Sequence, residues 1–131
     1  MKQQPNKPSN YFTRTPSNNG AKMLLKDPVT NEDTQDYLQV LGLESDPFRQ
    51  ALVLKHKRNM EILTLPESEQ PAALEDAELD LYASLVTGWS FSEPCTKEAV
   101  RELLNEAPQV KSQVDKFAGT RANFIVRLSK N

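Results

Sequence analysis

The chain has 131 residues, 16 basic and 18 acidic side chains, 37% hydrophobic content, and a single cysteine and a single histidine. That length suits one domain, and no apolar run approaches the roughly 18 residues of a membrane span. Cys95 alone excludes an internal disulfide framework or a multi-cysteine zinc site, and His56 alone argues against a Ser-His-Asp triad or a multi-His metal cage.

Residues 1–26 read as a flexible basic arm. Pro5, Pro8 and Pro16 stand among Asn, Ser, Thr, Gln and Lys, with too little apolar surface to offset the entropy of ordering. The opening Met1-Lys2-Gln3-Gln4-Pro5 has no apolar signal core, which argues against secretion. Only Met23-Leu24-Leu25 is apolar enough for a short edge strand. The rest, 27–131, is predicted as one helical domain. A first helix over about 31–41 follows from Thr30 and Asp33 as a variant capping box. Tyr37, Leu38 and Leu41 would share its face, and Gly42 would stop it.

The second helix starts more clearly, with Asp46 as N-cap and Pro47 in the first turn. Phe48, Leu52, His56, Met60 and Leu63 form its apolar stripe, which fades at Leu65-Pro66. A third helix spans about 71–86, with Leu74, Ala77, Leu81 and Leu85 on one side, and Gly88 ends it. Trp89 to Cys95 form a connector. Thr96 caps a fourth helix containing Val100, Leu103, Leu104 and Ala107, and Pro108 marks a break or a new first turn. The last helix, about 109–128, carries Val110, Val114, Phe117, Arg121, Phe124 and Leu128 at the spacing of a helix lying along a partner helix. Gly119 is its weak point. No segment shows convincing period-two alternation. The predicted fold is all-α, a single domain of four to five helices after the arm.

The near-neutral total hides a segregation of charge. Residues 1–26 carry five cations and no acid, whereas Asn59 to Thr96 carry eight acids and no cation. Residues 97–131 are basic again, with seven cations and four acids. Each run reads either as a solvated helix face or as one half of a head-to-tail contact between subunits.

Few residues suggest chemistry. The four glycines form no phosphate-binding loop. His56 lies on a helical stripe beside Lys55, Lys57 and Arg58 and reads as a boundary residue. Cys95 precedes a helix start, where a thiol pKa can fall, yet no base stands nearby in sequence, so it reads as structural. Glu75, Asp76, Glu78 and Asp80 lack a glycine-bearing loop to orient a cation and read as a solvated face. Lys55-His56-Lys57-Arg58 points around the whole helix and cannot form one basic face for nucleic acid. No catalytic, cofactor-binding or metal-ligating set emerges, so an enzyme is not expected. Trp89 either plugs the core where helices meet or anchors a partner.

Gly88-Trp89-Ser90-Phe91-Ser92-Glu93-Pro94, Thr96 to Leu104 and Ala107-Pro108 together resemble the tail assembly chaperones of long-tailed, lambda-like bacteriophages. Phe117 to Phe124 is similar to the carboxy-terminal helix of these proteins, and Asp46 to Ala51 to an upstream segment. The good match covers about residues 85–126. The resemblance implies a mainly α-helical protein of the host cytoplasm, absent from the mature virion. Such a protein coats the tape measure protein and helps recruit tail tube subunits, the latter through a longer ribosomal-frameshift product. Ser129-Lys130-Asn131 is compatible with a slippery A-AAA-AAC message. The family-motif and protein-binding candidates are Trp89, Phe91, Glu93, Leu103, Leu104, Phe117, Arg121, Asn123 and Phe124. Homo-oligomers with head-to-tail contacts are expected, with neither nucleic acid nor membrane as partner. The competing reading is a generic helical adaptor or a DNA-binding regulator using the basic arm.

Overall fold

The computed structural model describes residues 7–125. Five helices pack with a three-stranded antiparallel sheet, which corrects the all-α expectation. The helices are α1 (Arg14–Asn19), α2 (Asp46–Ile62), α3 (Gln70–Ala83), α4 (Lys97–Glu106) and α5 (Pro108–Ala118). The strands are β1 (Ala21–Lys26), β2 (Asp33–Val40) and β3 (Val86–Trp89), with β2 in the centre.

The helix expected over 31–41 is the central strand. Its start is set by the turn before it, where the Asp27 carboxylate accepts the backbone N–H groups of Val29 (2.8 Å) and Thr30 (2.9 Å). Asn31 takes the left-handed conformation (φ 62°) that a short polar side chain tolerates, and the chain reverses into a hairpin. Leu38 and Val40 then point to one face and are fully buried, while Tyr37 and Gln39 point to the other. The alternation is weak in sequence because Thr34 and Asp36 occupy the inward positions at the open end of the strand.

The flexible arm needs correction as well. Residues 1–6 lie outside the described residues. From Arg14 onward the segment is built into the fold, first as α1 and then as β1, the edge strand that Met23-Leu24-Leu25 suggested. Met23 and Leu25 are buried in the core. Gly20 joins the two elements at φ 74°, a backbone position that favours glycine. Of the arm's cations, Arg14 pairs with Asp46 (2.6 Å), Lys26 with Asp33 (2.8 Å), and Lys22 lies 4.3 Å over the Tyr37 ring.

Across the sheet, Ala21, Val40 and Val86 form one row of cross-strand neighbours, and Met23, Leu38 and Trp89 form the next. This inward face packs on α5 through Val110 and Val114, and the Gln113 amide donates to the Leu24 carbonyl at the β1 edge (2.8 Å). Beside the sheet, α2 and α3 pack as a helical hairpin and α4 lies against α3.

Cap chemistry located three helix starts. Pro47 stands in the first turn of α2, with Ser45 one residue earlier than expected as N-cap, because Asp46 bonds Arg14 and Asn18 instead. Thr96 Oγ1 accepts the Ala99 N–H (3.1 Å), and Pro108 opens α5. The last helix is shorter than expected. It ends at Ala118, Gly119 caps it, and a 3-10 turn follows over Arg121–Asn123. Leu128 lies outside the described residues.

The stripe expected to bury α2 does so only at its start. Phe48 is buried, His56 is exposed, and Met60 and Leu63 are more than 70% exposed. The inward face toward α3 runs instead through Ala51, Lys55, Arg58, Asn59 and Ile62, whose polar side chains hid it from a hydrophobicity reading.

Candidate functional site

Helix α4 sorts its side chains by chemistry around its axis. Val100 and Leu104 enter the core at 1% exposure each. Lys97 and Arg101, one turn apart, face α3. Arg101 donates to both Asp76 and Asp80, Arg58 of α2 reaches the same two carboxylates, and Lys97 lies 3.4 Å from Asp80. Lys111 of α5 pairs with Glu78 (2.7 Å). Three acids of the 59–96 segment, Asp76, Glu78 and Asp80, are therefore engaged within the chain, while Glu61, Glu67, Glu69, Glu75 and Glu93 form no ion pair among the described residues.

The hydrogen bonds from Arg58 and Arg101 hold the Asp76 carboxyl below its usual value of 3.8. A carboxyl depressed in the folded state adds stability above its unfolded pKa and loses it as pH falls through the folded value. Wild type is expected to lose stability below about pH 4 partly through Asp76. Asp76→Asn should flatten that acid limb in urea titrations while lowering stability at neutral pH. An unchanged acid limb would contradict this role.

The opposite flank of α4 builds a groove. Ala99 and Leu103 form one wall, while Trp89 and Phe91, at the end of β3 and in the connector, form the other. Glu93, Glu102 and Glu106 stand on the rim, and the groove encloses about 450 Å³. Its aromatic wall follows from the sheet register. Trp89 is the outermost member of the Met23–Leu38–Trp89 row, so it points to the core side with nothing beyond it in the sheet. The indole N–H donates to the Glu93 carbonyl (2.8 Å), which folds the connector back, and Phe91 meets the indole edge-on at 5.2 Å. Both rings and Leu103 are half-buried and rest on the core. Trp89 thus rests on the core, one of the two roles that its position after a glycine left open, while part of its ring stays accessible in the groove.

Four of the nine candidates meet here: Trp89, Phe91, Glu93 and Leu103. Leu104 belongs to the core. The remaining four gather at the end of α5, where Phe117 packs edge-on against Phe124 at 5.5 Å. The Asn123 amide donates to the Phe117 carbonyl (3.0 Å), and Arg121 makes a two-pronged pair with Glu44 (3.0 and 2.9 Å). That group ties the chain beyond α5 to the loop after β2. Sequence reading missed Ala99, Glu102 and Glu106. The one-turn spacing of Glu98, Glu102 and Glu106 was the available signal.

Elsewhere, burial raises the Cys95 thiol pKa, the direction opposite to activation. Among the described residues no group of three or more His, Cys, Asp or Glu side chains is placed to hold a metal ion. No helix there is long and apolar enough to cross a membrane. No family model, curated protein or solved structure matches this chain.

Proposed function

We propose that this protein is an assembly chaperone of the phage tail type, which binds the tape measure protein in the groove between α4 and the Trp89–Glu93 connector. The observation that carries this reading is the overlap between the resemblance and the groove. The segments Gly88 to Pro94 and Thr96 to Leu104 supply nearly all of its lining. Half-buried aromatic side chains beside an aliphatic helix face make a suitable anchor site for another chain. The mixed sheet-and-helix fold departs from the mainly helical expectation, so the proposal rests on the groove and its residues. Recruitment of the tail tube by a longer frameshift product, and residence in the host cytoplasm, belong to the same proposal. A DNA-binding regulator using the basic arm is less well supported, because Arg14 and Lys26 are ion-paired and Lys22 covers Tyr37.

The test is co-expression with a phage tape measure protein, the partner that this proposal names. Wild type should keep that protein soluble and co-purify with it. Leu103→Asp should weaken the complex on the order of a hundredfold by placing a charge on the apolar wall. Ala99→Gln, which fills the groove without a charge, should weaken it while leaving the melting temperature near that of wild type. Full retention of the complex by both folded variants would overturn the proposal.

A further inference from the structure

The rim and wall chemistry of the groove specify what enters it. Glu93, Glu102 and Glu106 are exposed, none of them forms an ion pair among the described residues, and no Lys or Arg lines the groove. This contrasts with the other flank of the same helix, where Arg101 and Lys97 meet carboxylates of α3. Three carboxylates around an apolar floor favour an occupant with cations beside apolar side chains. Glu102 and Glu106 stand one turn apart, about 6 Å along the axis, which matches Lys or Arg residues one turn apart on a second helix. The groove volume takes a few side chains and not a whole helix. Its occupant therefore lies across the opening and inserts a stripe of apolar residues.

We infer that the groove takes a cationic amphipathic helix of a partner protein, with apolar side chains on Trp89, Phe91 and Leu103 and Lys or Arg side chains against Glu93, Glu102 and Glu106. This rests on the groove being the protein-binding site and adds the chemistry of the partner. An anionic helix is excluded by the same carboxylates.

Trp89 is the only tryptophan in the chain, so its emission reports on the groove directly. The probes are two tryptophan-free synthetic helical peptides with the same leucine stripe, one with lysine and one with glutamate at its polar positions. The lysine peptide should shift Trp89 emission to shorter wavelength and bind less tightly as salt is raised. The glutamate peptide should do neither. The double variant Glu102→Lys/Glu106→Lys should weaken the lysine peptide on the order of tenfold, the sum of two exposed ion pairs. Glu67→Lys/Glu69→Lys makes the same change in net charge on the turn before α3, and should leave affinity within about twofold of wild type.

Equal binding of both peptides, an unmoved Trp89 emission, or equal losses in the two double variants would overturn the inference. If Leu103→Asp breaks the complex with the natural partner while Glu102→Lys/Glu106→Lys leaves it intact, the cationic occupant falls and the groove reading stands. If neither variant affects that complex, both fall.

Discussion

Leu38→Ala is expected to lower the melting temperature by on the order of 10 °C, the largest loss of any single truncation in the sheet. Leu38 is fully buried in the central strand, between Met23 of β1 and Trp89 of β3, so one side chain holds both strand pairings against α5. Removing it takes away apolar burial and leaves a cavity bounded by strands fixed on both sides, a combination that destabilises by about 2–5 kcal/mol. Thermal melting followed by far-ultraviolet circular dichroism checks this. A shift as small as that of an exposed Leu24→Ala control would mean that the row of cross-strand neighbours does not carry the core.

Gly42→Ala is the second large effect, because the cause is contact and not lost burial. A methyl group at Gly42 would stand 2.2 Å from Ser17 Oγ and 3.2 Å from Ser17 Cα, so the Ser17 hydroxyl must leave its place and the α1 backbone must give slightly. The same place ties the two segments together. The Gly42 N–H donates to the Ser17 carbonyl (3.0 Å), and Ser17 Oγ accepts the Glu44 N–H (3.1 Å). Overpacking of this kind destabilises by about 1–3 kcal/mol. Limited proteolysis should cut the variant within α1 under conditions that leave wild type intact. Adding Ser17→Ala removes the nearest contact and should recover part of the loss, a coupling that a double-mutant cycle measures directly. Unchanged resistance of Gly42→Ala to protease would contradict the tight crossing.

What the sequence disclosed and what it hid divide along local and non-local causes. The starts of α2, α4 and α5 were legible because Pro47, Thr96 and Pro108 act within one turn of themselves. The sheet was not. Tyr37, Leu38 and Leu41 satisfy helical spacing as well as they satisfy a strand, and the choice was made by pairing on both sides, with β1 across the Asp27–Asn31 turn and with β3 far along the chain. That strand has four residues with Gly88 inside it, too short to show a period of its own. The packing face of α2 was misread because its inward positions carry Lys55, Arg58 and Asn59, and Arg58 is held there by Asp76 and Asp80. At the groove, the aromatic residues and Leu103 were visible by type. Glu102 and Glu106 were not, since their meaning depends on which flank of α4 the cations had already taken.

The crossover between β2 and β3 sets an order for folding. β1 and β2 form a local hairpin, but β3 reaches β2 only after the whole α2–α3 hairpin has doubled back, so its pairing carries a larger loop-closure entropy. α5, which covers the inward face of the sheet, comes later still in the chain. Synthesis therefore delivers the first hairpin, with Met23, Leu25, Leu38 and Val40, before either the strand that carries Trp89 or the helix that covers the sheet. The four side chains that line the hairpin's inward face thus depend for their cover on a helix that begins 68 residues after Val40, at Pro108.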